Sequence, residues 1–210
     1  MSTLEEILRS RRQKLEKLLS LGIDPFPEKS SRSLEISEAL KNFRSLSRTK
    51  KKITLAGRLV GLRYHGGAVF GDLRDSSAKI QLLFKKDLLG EKFDLLTYFD
   101  LGDFLEAEGI LFKTKAGEET LEVRDFKLLV KSLRPLPSEW YGLEDVEERF
   151  RKRYLDLLAN EEVARRFSVR SQVVFDLRRY LADEGFTEVE TPILQTLYGG
   201  AAAKPFRTRL

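Results

Sequence analysis

The sequence predicts an α+β chain in which a small five-stranded β-barrel lies between two helical segments. Three observations support this prediction. Five runs between residues 53 and 130 have the composition and spacing of strands. Apolar residues recur at helical spacing near both ends of the chain, in stretches without internal glycine or proline. Proline pairs follow the first helical stretch and the last strand, at Pro25 and Pro27 and at Pro135 and Pro137.

The first 52 residues are predicted to form a basic helix and a polar lead-in. The helix covers residues 3–21 and ends at Gly22, and a short helix is expected over residues 37–43. Residues 1–52 carry 13 Lys and Arg against 7 Asp and Glu, whereas residues 53–210 carry 25 against 26. This uneven charge indicates a polyanion bound by one end of the molecule, in a salt-sensitive way. A solvated helix face without a partner is the alternative.

The barrel is predicted over residues 53–134. Its strands are expected at 53–64, 68–74, 79–84, 104–114 and 119–130, with a helix over 87–99. Three strands, a helix and two strands form the order of an OB-fold barrel. This segment has 13 basic and 13 acidic residues, so its binding face must depend on specific contacts rather than on bulk charge.

Phe70 and Gln81 are the candidate binding residues of the barrel. They lie on the second and third predicted strands, the surface that OB-folds use for single-stranded nucleic acid. An aromatic ring there can stack on a base. The alternation of the strand by itself favours a core position for Phe70, so both interpretations are open at this point.

The last third of the chain is predicted to be mainly helical. A short, stiff connection over 133–137 is followed by helices over 144–159 and 161–184, with Asn160 as the N-cap of the second. A β-type run, residues 186–189, then ends before Pro192. The long helix is expected to pack against a partner subunit or, alternatively, inside its own domain.

Several classes of site are excluded by the composition. The chain has no cysteine and one histidine, His65, which argues against disulfides and against cysteine- or histidine-based metal sites. It has no phosphate-binding GxxxxGK[ST] loop and no complete catalytic constellation. No apolar run is long enough to cross a membrane, and no signal peptide is evident, so a cytoplasmic location is expected.

The closing stretch carries a family resemblance. Residues 185–192 (GFTEVETP) resemble motif 1 of the class II aminoacyl-tRNA synthetases, and residues 199–206 (GGAAAKPF) resemble the lysyl branch of that family. Further segments fit the same branch: residues 57–58, 72–75, 80–81, 111–115, 133–137 and 153–158. The resemblance runs from about residue 1 to residue 210.

The resemblance implies a helix and an OB domain that bind the anticodon of tRNA(Lys). Anticodon contacts are then expected from Arg63, Phe70, Gln81 and Glu118. Phe70 is similar to the base-stacking aromatic of the family and Gln81 to its base-reading amide, which reverses the preference for a core position at Phe70. Where the family often has basic residues, before Arg63 and near the first strand turn, this chain has Leu62 and Gly67.

The resemblance also implies roles for the C-terminal part. The backbone of Gly199, Gly200 and Ala201 is expected to help hold the lysine substrate. A homodimer interface is expected along the 161–184 helix and the motif 1 strand, at Phe167, Val174 and Pro192. The family joins lysine to ATP, with Mg²⁺ balancing phosphate charge, and transfers it to tRNA. The ATP-binding motifs 2 and 3 are not found in these residues, so no catalytic or metal-binding residue is predicted.

Three functions therefore stay open on sequence grounds. The preferred one is an incomplete ligase, inactive alone, with segments 1–52, 53–134, 135–160 and 161–210, the last being the start of a catalytic domain. The second is a free-standing tRNA-binding module. The third is a dimerisation protein that uses the 161–184 helix.

Overall fold

The computed structural model describes residues 3–137 and 145–193. The chain divides into two compact units, 1–138 and 139–210. The first unit begins with helices α1 (Leu4–Ser20), α2 (Ile36–Lys41) and α3 (Phe43–Thr49). Helix α1 starts at a capping box, in which Thr3 and Glu6 each donate a backbone N–H to the other's side chain. The short helix predicted over 37–43 is in fact two helices, because Asn42 departs from helical geometry between them.

A closed barrel of five strands forms the rest of this unit. The strands are β1 (Lys52–His65), β2 (Ala68–Arg74), β3 (Lys79–Lys85), β4 (Phe104–Lys113) and β5 (Glu119–Val130). They follow one another around the barrel as β1-β2-β3-β5-β4, with β3 and β5 parallel and the other pairs antiparallel. This arrangement confirms the predicted OB-fold.

Two glycines allow the barrel strands to approach closely. A Cβ atom at Gly57 would lie 2.6 Å from the carbonyl oxygen of Arg74, and one at Gly109 would lie 2.2 Å from that of Glu122. Both distances between a Cβ atom and a backbone oxygen are too short for any side chain, so glycine is needed where these neighbouring strands come close.

The connection between β3 and β4 differs from the single helix predicted over 87–99. It consists of a short helix, α4 (Lys86–Leu89), and a 3-10 helix (Gly90–Tyr98). The prediction of one α-helix was wrong because Gly90 adopts a left-handed backbone with φ +55°, which ends α4. The 3-10 helix then buries Leu96 in the core.

One apolar core fills the barrel and continues under the N-terminal helices. Inward positions of β1 and β2 are fully buried: Leu55, Leu59, Val69 and Leu73. The helices contribute buried side chains to the same cluster: Leu18, Ile36, Ala39 and Phe43. Because helices and barrel share this core, burial of apolar surface holds α2 and α3 on the barrel.

A buried group of charged side chains fastens α1 to the ends of the strands. Lys131 pairs with Asp103 at 2.8 Å, and both side chains are fully buried. Asp100 accepts from Lys131 and from Lys14 of α1, each at 2.6 Å. Arg11 of α1 donates to three backbone carbonyl oxygens, those of Leu101, Ser132 and Arg134. Two basic side chains of α1, Arg11 and Lys14, are therefore engaged in contacts within the first unit.

The second unit contains three helices in the part that the structure describes. They are α5 (Val146–Arg151), α6 (Arg153–Ala159) and α7 (Glu161–Asp183). The single helix predicted up to residue 159 is broken at Lys152, which has φ −113° and ψ 48°. Asn160 caps α7 as predicted, since its side chain accepts from the Val163 N–H. None of the helices among residues 3–137 and 145–193 has the length and apolar character that a membrane crossing requires.

The β-type run predicted over 186–189 is not a strand in the structure. The chain leaves α7 through Gly185, at φ +86°, and the Phe186 N–H donates to the Leu181 carbonyl oxygen. A strand is stabilised by hydrogen bonds to a neighbouring strand, and no described strand pairs with this segment. The local sequence favours extended backbone, but that alone does not make a strand.

Candidate nucleic-acid interface

Strand β2 alternates between core and surface, and Phe70 is one of its outward positions. Its neighbours Val69 and Gly71 are buried, whereas Phe70 is partly exposed and does not belong to the core cluster. The structure therefore rules out the core position for Phe70. The His65 ring meets Phe70 edge-on, with centroids 5.9 Å apart, and so supports one edge of an exposed aromatic surface.

Arg63 lies opposite Phe70 in the β1–β2 pairing and is held in a fixed orientation. Its guanidinium donates two hydrogen bonds to the Asp72 carboxylate, at 2.8 and 3.2 Å. The hydrogen bond with Asp72 is the main reason why the pKa of Arg63 is raised above its ordinary value. This paired geometry restricts the rotation of a long side chain, so the charge and the flat face of Arg63 stay beside Phe70.

Gln81 faces outward on β3, opposite Asp72 of β2. Its Oε1 accepts a hydrogen bond from the buried Thr120 hydroxyl at 2.9 Å. With the carbonyl end occupied, the amide is oriented with its NH₂ group away from Thr120. That NH₂ group has no hydrogen-bond partner within the described residues. Gln81 thus presents two N–H groups that can donate hydrogen bonds to a carbonyl oxygen of a ligand.

A groove of about 530 Å³ joins these side chains to the turn between β4 and β5. Its lining includes Arg63, Asp72, Gln81 and Glu118. The turn is held by Thr114, whose hydroxyl accepts from the Glu118 N–H at 3.0 Å and whose N–H donates to the Glu118 carbonyl oxygen at 2.9 Å. Three of the four predicted anticodon residues therefore line one groove, and Phe70 lies two positions from Asp72 on the same face of β2.

Comparisons with known proteins agree with this arrangement. Residues 53–136 match the model of the OB-fold nucleic acid binding domain, and residues 145–210 match that of the class II tRNA synthetases (D, K and N). A lysine–tRNA ligase of Thermoanaerobacter pseudethanolicus is 45% identical over 98% of this chain, and one of Halalkalibacterium halodurans is 43% identical over 98%. A lysine–tRNA ligase of Staphylococcus aureus is 44% identical over 94% of the chain. Over almost its whole length, this chain is homologous to part of the lysine–tRNA ligases.

The chain spans 41 to 42% of the length of these lysine–tRNA ligases. The two matched models fall in the two compact units, the OB-fold in the first and the synthetase model in the second. Roles for individual residues are not given by such matches. The anticodon contacts of Arg63, Phe70, Gln81 and Glu118 therefore remain predictions. The structure shows that these four residues lie on or beside one groove.

The residues of this chain that were predicted to form a dimer interface lie on an exposed apolar surface of the second unit. Phe167 and Val174 of α7 are 39% and 42% exposed, and Pro192 is exposed in the segment after the helix. Other large apolar side chains of α7 are also exposed: Val169, Val173, Phe175, Leu177, Tyr180 and Leu181. The predicted lysine-binding residues Gly199, Gly200 and Ala201 lie outside the described residues.

The structure adds a charged cluster that the sequence did not single out. Glu122 of β5 accepts from Lys85 at 2.7 Å and also pairs with Arg124. Burial would raise the pKa of Glu122, but these two cations outweigh it, so the pKa is lowered. Glu122 lies opposite Leu83 of β3. Leu83 is on the same outer face of β3 as Gln81, two positions along the strand, and its side chain is covered by its neighbours. Only the pairing of β3 with β5 brings these residues together, and no sequence pattern reports that pairing.

Proposed function

We propose that the face formed by Arg63, Phe70, Gln81 and Glu118 binds the anticodon loop of tRNA(Lys), and that the protein acts as a lysine–tRNA ligase. The observation that carries the proposal is the convergence on one face of a partly exposed aromatic ring, an oriented amide and both signs of charge. Sequence-specific recognition of RNA relies on unstacked loop bases, which need a stacking surface and hydrogen-bonding groups at their edges.

The groups on this face match the chemistry of uracil. The codons for lysine, AAA and AAG, require uracil at the second and third anticodon positions. Uracil presents two carbonyl oxygens and one N–H at its edge, which suit the NH₂ donors of Gln81 and the carboxylate of Glu118. Phe70 stacks on the base, and the flat face of Arg63, whose charge is paired with Asp72, stacks beside it.

The ligase activity is proposed from the homologous proteins, which are named lysine–tRNA ligases. Lysine and ATP are then substrates, Mg²⁺ accompanies ATP, and the protein works in the cytoplasm, where tRNA is used. Among the described residues, no cluster of three or more His, Cys, Asp or Glu side chains is suited to a metal. The family's ATP-binding motifs 2 and 3 were not found in the sequence either, so no ATP-dependent step is assigned to these residues. Gly199, Gly200 and Ala201 are proposed to contact lysine.

A homodimer is also proposed, with α7 at its centre. Exposed side chains such as Phe167, Val174 and Phe175 would be covered by a second copy, and so would the segment around Pro192. Burial of large apolar side chains of this kind contributes about 25 cal/mol per Å² removed from water.

Anticodon binding can be tested with the full chain and a 17-nucleotide stem-loop RNA that carries UUU in its loop. Phe70→Ala should weaken binding by roughly 5- to 150-fold, since stacking on one base contributes about 1–3 kcal/mol. Phe26→Ala is the control, because it removes the same phenyl ring from a surface position, 51% exposed, that lies outside both strand β2 and the groove lining. Equal affinities for the wild type and Phe70→Ala would remove the stacking role.

Base reading by Gln81 can be tested with a second RNA, in which the middle U of the loop is C. Cytosine has an amino group where uracil has a carbonyl oxygen, so the wild type should prefer UUU over UCU. Gln81→Glu replaces the NH₂ donors with an acceptor and should abolish this preference, whereas Gln13→Glu on α1 makes the same charge change and should retain it. An unchanged preference in Gln81→Glu would show that another group reads this base.

A further inference from the structure

The free positive charge of the N-terminal part does not lie mainly on α1. Of its five basic side chains, Arg11 and Lys14 are bound to the barrel. The three others are Arg9, Arg12 and Lys17. They are matched in number by three glutamates of the same helix, Glu5, Glu6 and Glu16. Helix α1 therefore presents no net charge to a partner.

The free charge lies in residues 41–52, which contain six basic residues and no acidic one. Lys52 pairs with Glu108 at 3.1 Å. The other five are exposed and make no ion pair with any described residue: Lys41, Arg44, Arg48, Lys50 and Lys51. These five residues, here named the basic platform, cover the end of α2, the helix α3 and the turn into β1.

The basic platform concentrates positive charge at some conformational and electrostatic cost to the fold. Arg44 and Arg48 are one turn apart on α3, where like charges repel each other and destabilise the helix. Lys50 ends α3 with φ +51° and is the sole non-glycine residue with positive φ in the described part of the chain. Glycine would adopt this backbone with less strain, so the lysine adds a cation at a position where it is conformationally unfavourable.

Hydrogen bonds fix α2, whose last residue is Lys41 of the basic platform, to the barrel. The first residues of α2 are tied to the turn between β2 and β3: the Ile36 N–H donates to Asp75, and the Ser37 N–H donates to the Ser77 hydroxyl, each at 3.0 Å. Near the other end of α2, Leu40 lines the groove together with Gln81 and the exposed Lys79. The groove is therefore lined by Leu40 of α2, the residue directly before Lys41 of the basic platform.

We propose that the basic platform binds the sugar–phosphate backbone of the RNA whose bases occupy the anticodon groove. The inference rests on the proposed function and extends it from the bases to the backbone. An RNA loop carries one negative charge per nucleotide. A strand whose bases enter the groove therefore brings phosphates past Leu40, the groove residue that directly precedes Lys41 and the rest of the basic platform in the chain. Neutralisation of these phosphates releases counterions and makes the binding salt-dependent.

The test compares two triple variants of the full chain that remove the same number of charges. The platform variant is Arg44→Gln, Arg48→Gln and Lys51→Gln. The control variant is Arg9→Gln, Arg12→Gln and Lys17→Gln on α1. Circular dichroism checks that both are folded. The dissociation constant for the UUU stem-loop is measured from 50 to 300 mM salt, and the slope of its logarithm against the logarithm of salt concentration is compared with wild type.

The platform variant should lower the magnitude of this slope by about 2, because each lost phosphate contact in single-stranded RNA contributes about 0.7. It should keep the preference for UUU over UCU, and the α1 variant should keep the wild-type slope. A wild-type slope in the platform variant, or an equal loss in the α1 variant, would overturn the inference.

The same measurements separate this inference from the proposed function. If the platform variant alone loses slope but the wild type binds UUU and UCU equally, the basic platform binds RNA backbone and the anticodon specificity is wrong. If Phe70→Ala weakens binding while the platform variant behaves as wild type, anticodon binding stands and the inference fails. Phosphatidylserine vesicles serve as a further probe. Vesicle binding that depends on the basic platform, with an unchanged RNA slope, would assign the surface to a membrane instead.

Discussion

Removal of the Asp103 carboxylate should strongly destabilise the first unit. Asp103 is fully buried and accepts hydrogen bonds from the Lys131 side chain, from the Ser132 N–H at 2.7 Å and from the Asp100 N–H at 2.8 Å. Loss of one partner of a buried charge pair costs about 3–5 kcal/mol. Since Lys131 would still have Asp100 at 2.6 Å, we expect the lower value, about 3 kcal/mol, for Asp103→Ala.

The assay is urea unfolding followed by the amide NMR signals of β1 and β5, which report on the first unit alone. Glu108→Ala is the matched control, because its pair with Lys52 is exposed and such pairs contribute less than about 1 kcal/mol. The double variant Asp103→Leu with Lys131→Met removes both charges together, so its loss of stability should be smaller than the sum of the two single losses, although the N–H groups of Asp100 and Ser132 then lack their acceptor. Equal losses of unfolding free energy in Asp103→Ala and Glu108→Ala would refute the argument that burial makes this pair costly to break.

Four further outcomes are expected. Gly109→Ala should lower the unfolding free energy by about 1–3 kcal/mol in the same assay, because the new methyl group would overlap a backbone oxygen 2.2 Å away. Lys50→Gly should raise it by about 1 kcal/mol through relief of the left-handed backbone, and a loss of stability would contradict this. Burial would raise the pKa of Asp100, but hydrogen bonds from two lysines outweigh it and lower the pKa below the ordinary 3.8, so this stabilisation is complete above about pH 4 and is lost as the pH falls through the folded-state pKa. Asp100→Asn should accordingly flatten the acid side of the stability curve measured from pH 2 to 6. Val174→Glu should shift a sedimenting dimer toward monomer, whereas an unchanged distribution would exclude Val174 from the interface.

The local elements were predictable wherever local physics decides them. The alternation over residues 53–130 predicts the five strands, and Asn160 predicts the start of α7. The misses have two causes: the backbone of a single residue, or the lack of a neighbouring strand. Gly90 converts an expected helix into a 3-10 segment, Lys152 divides another, and residues 186–189 lack a neighbouring strand within the described chain.

The candidate site was predictable only in part. The family resemblance and the strand positions single out Phe70 and Gln81, but periodicity alone favours the wrong environment for Phe70. The orientation of Gln81 depends on Thr120, which lies 39 residues away in sequence and reaches it through the parallel pairing of β3 with β5. Long-range pairing of this kind leaves no periodic signal in either strand.

The amino-acid sequence by itself determined the OB-fold and the excess of basic residues in the first 52 positions, because composition and period are local properties. The family was indicated by the resemblance of its motifs to those of the class II synthetases. Only the tertiary structure decided which of those basic residues are free. Arg11 and Lys14 are used in the contacts that hold α1, whereas the basic platform has no counter-charge within the described residues. The physical reason is that a charge is available to a partner only when the fold has not already paired it, and pairing depends on neighbours that are distant in sequence.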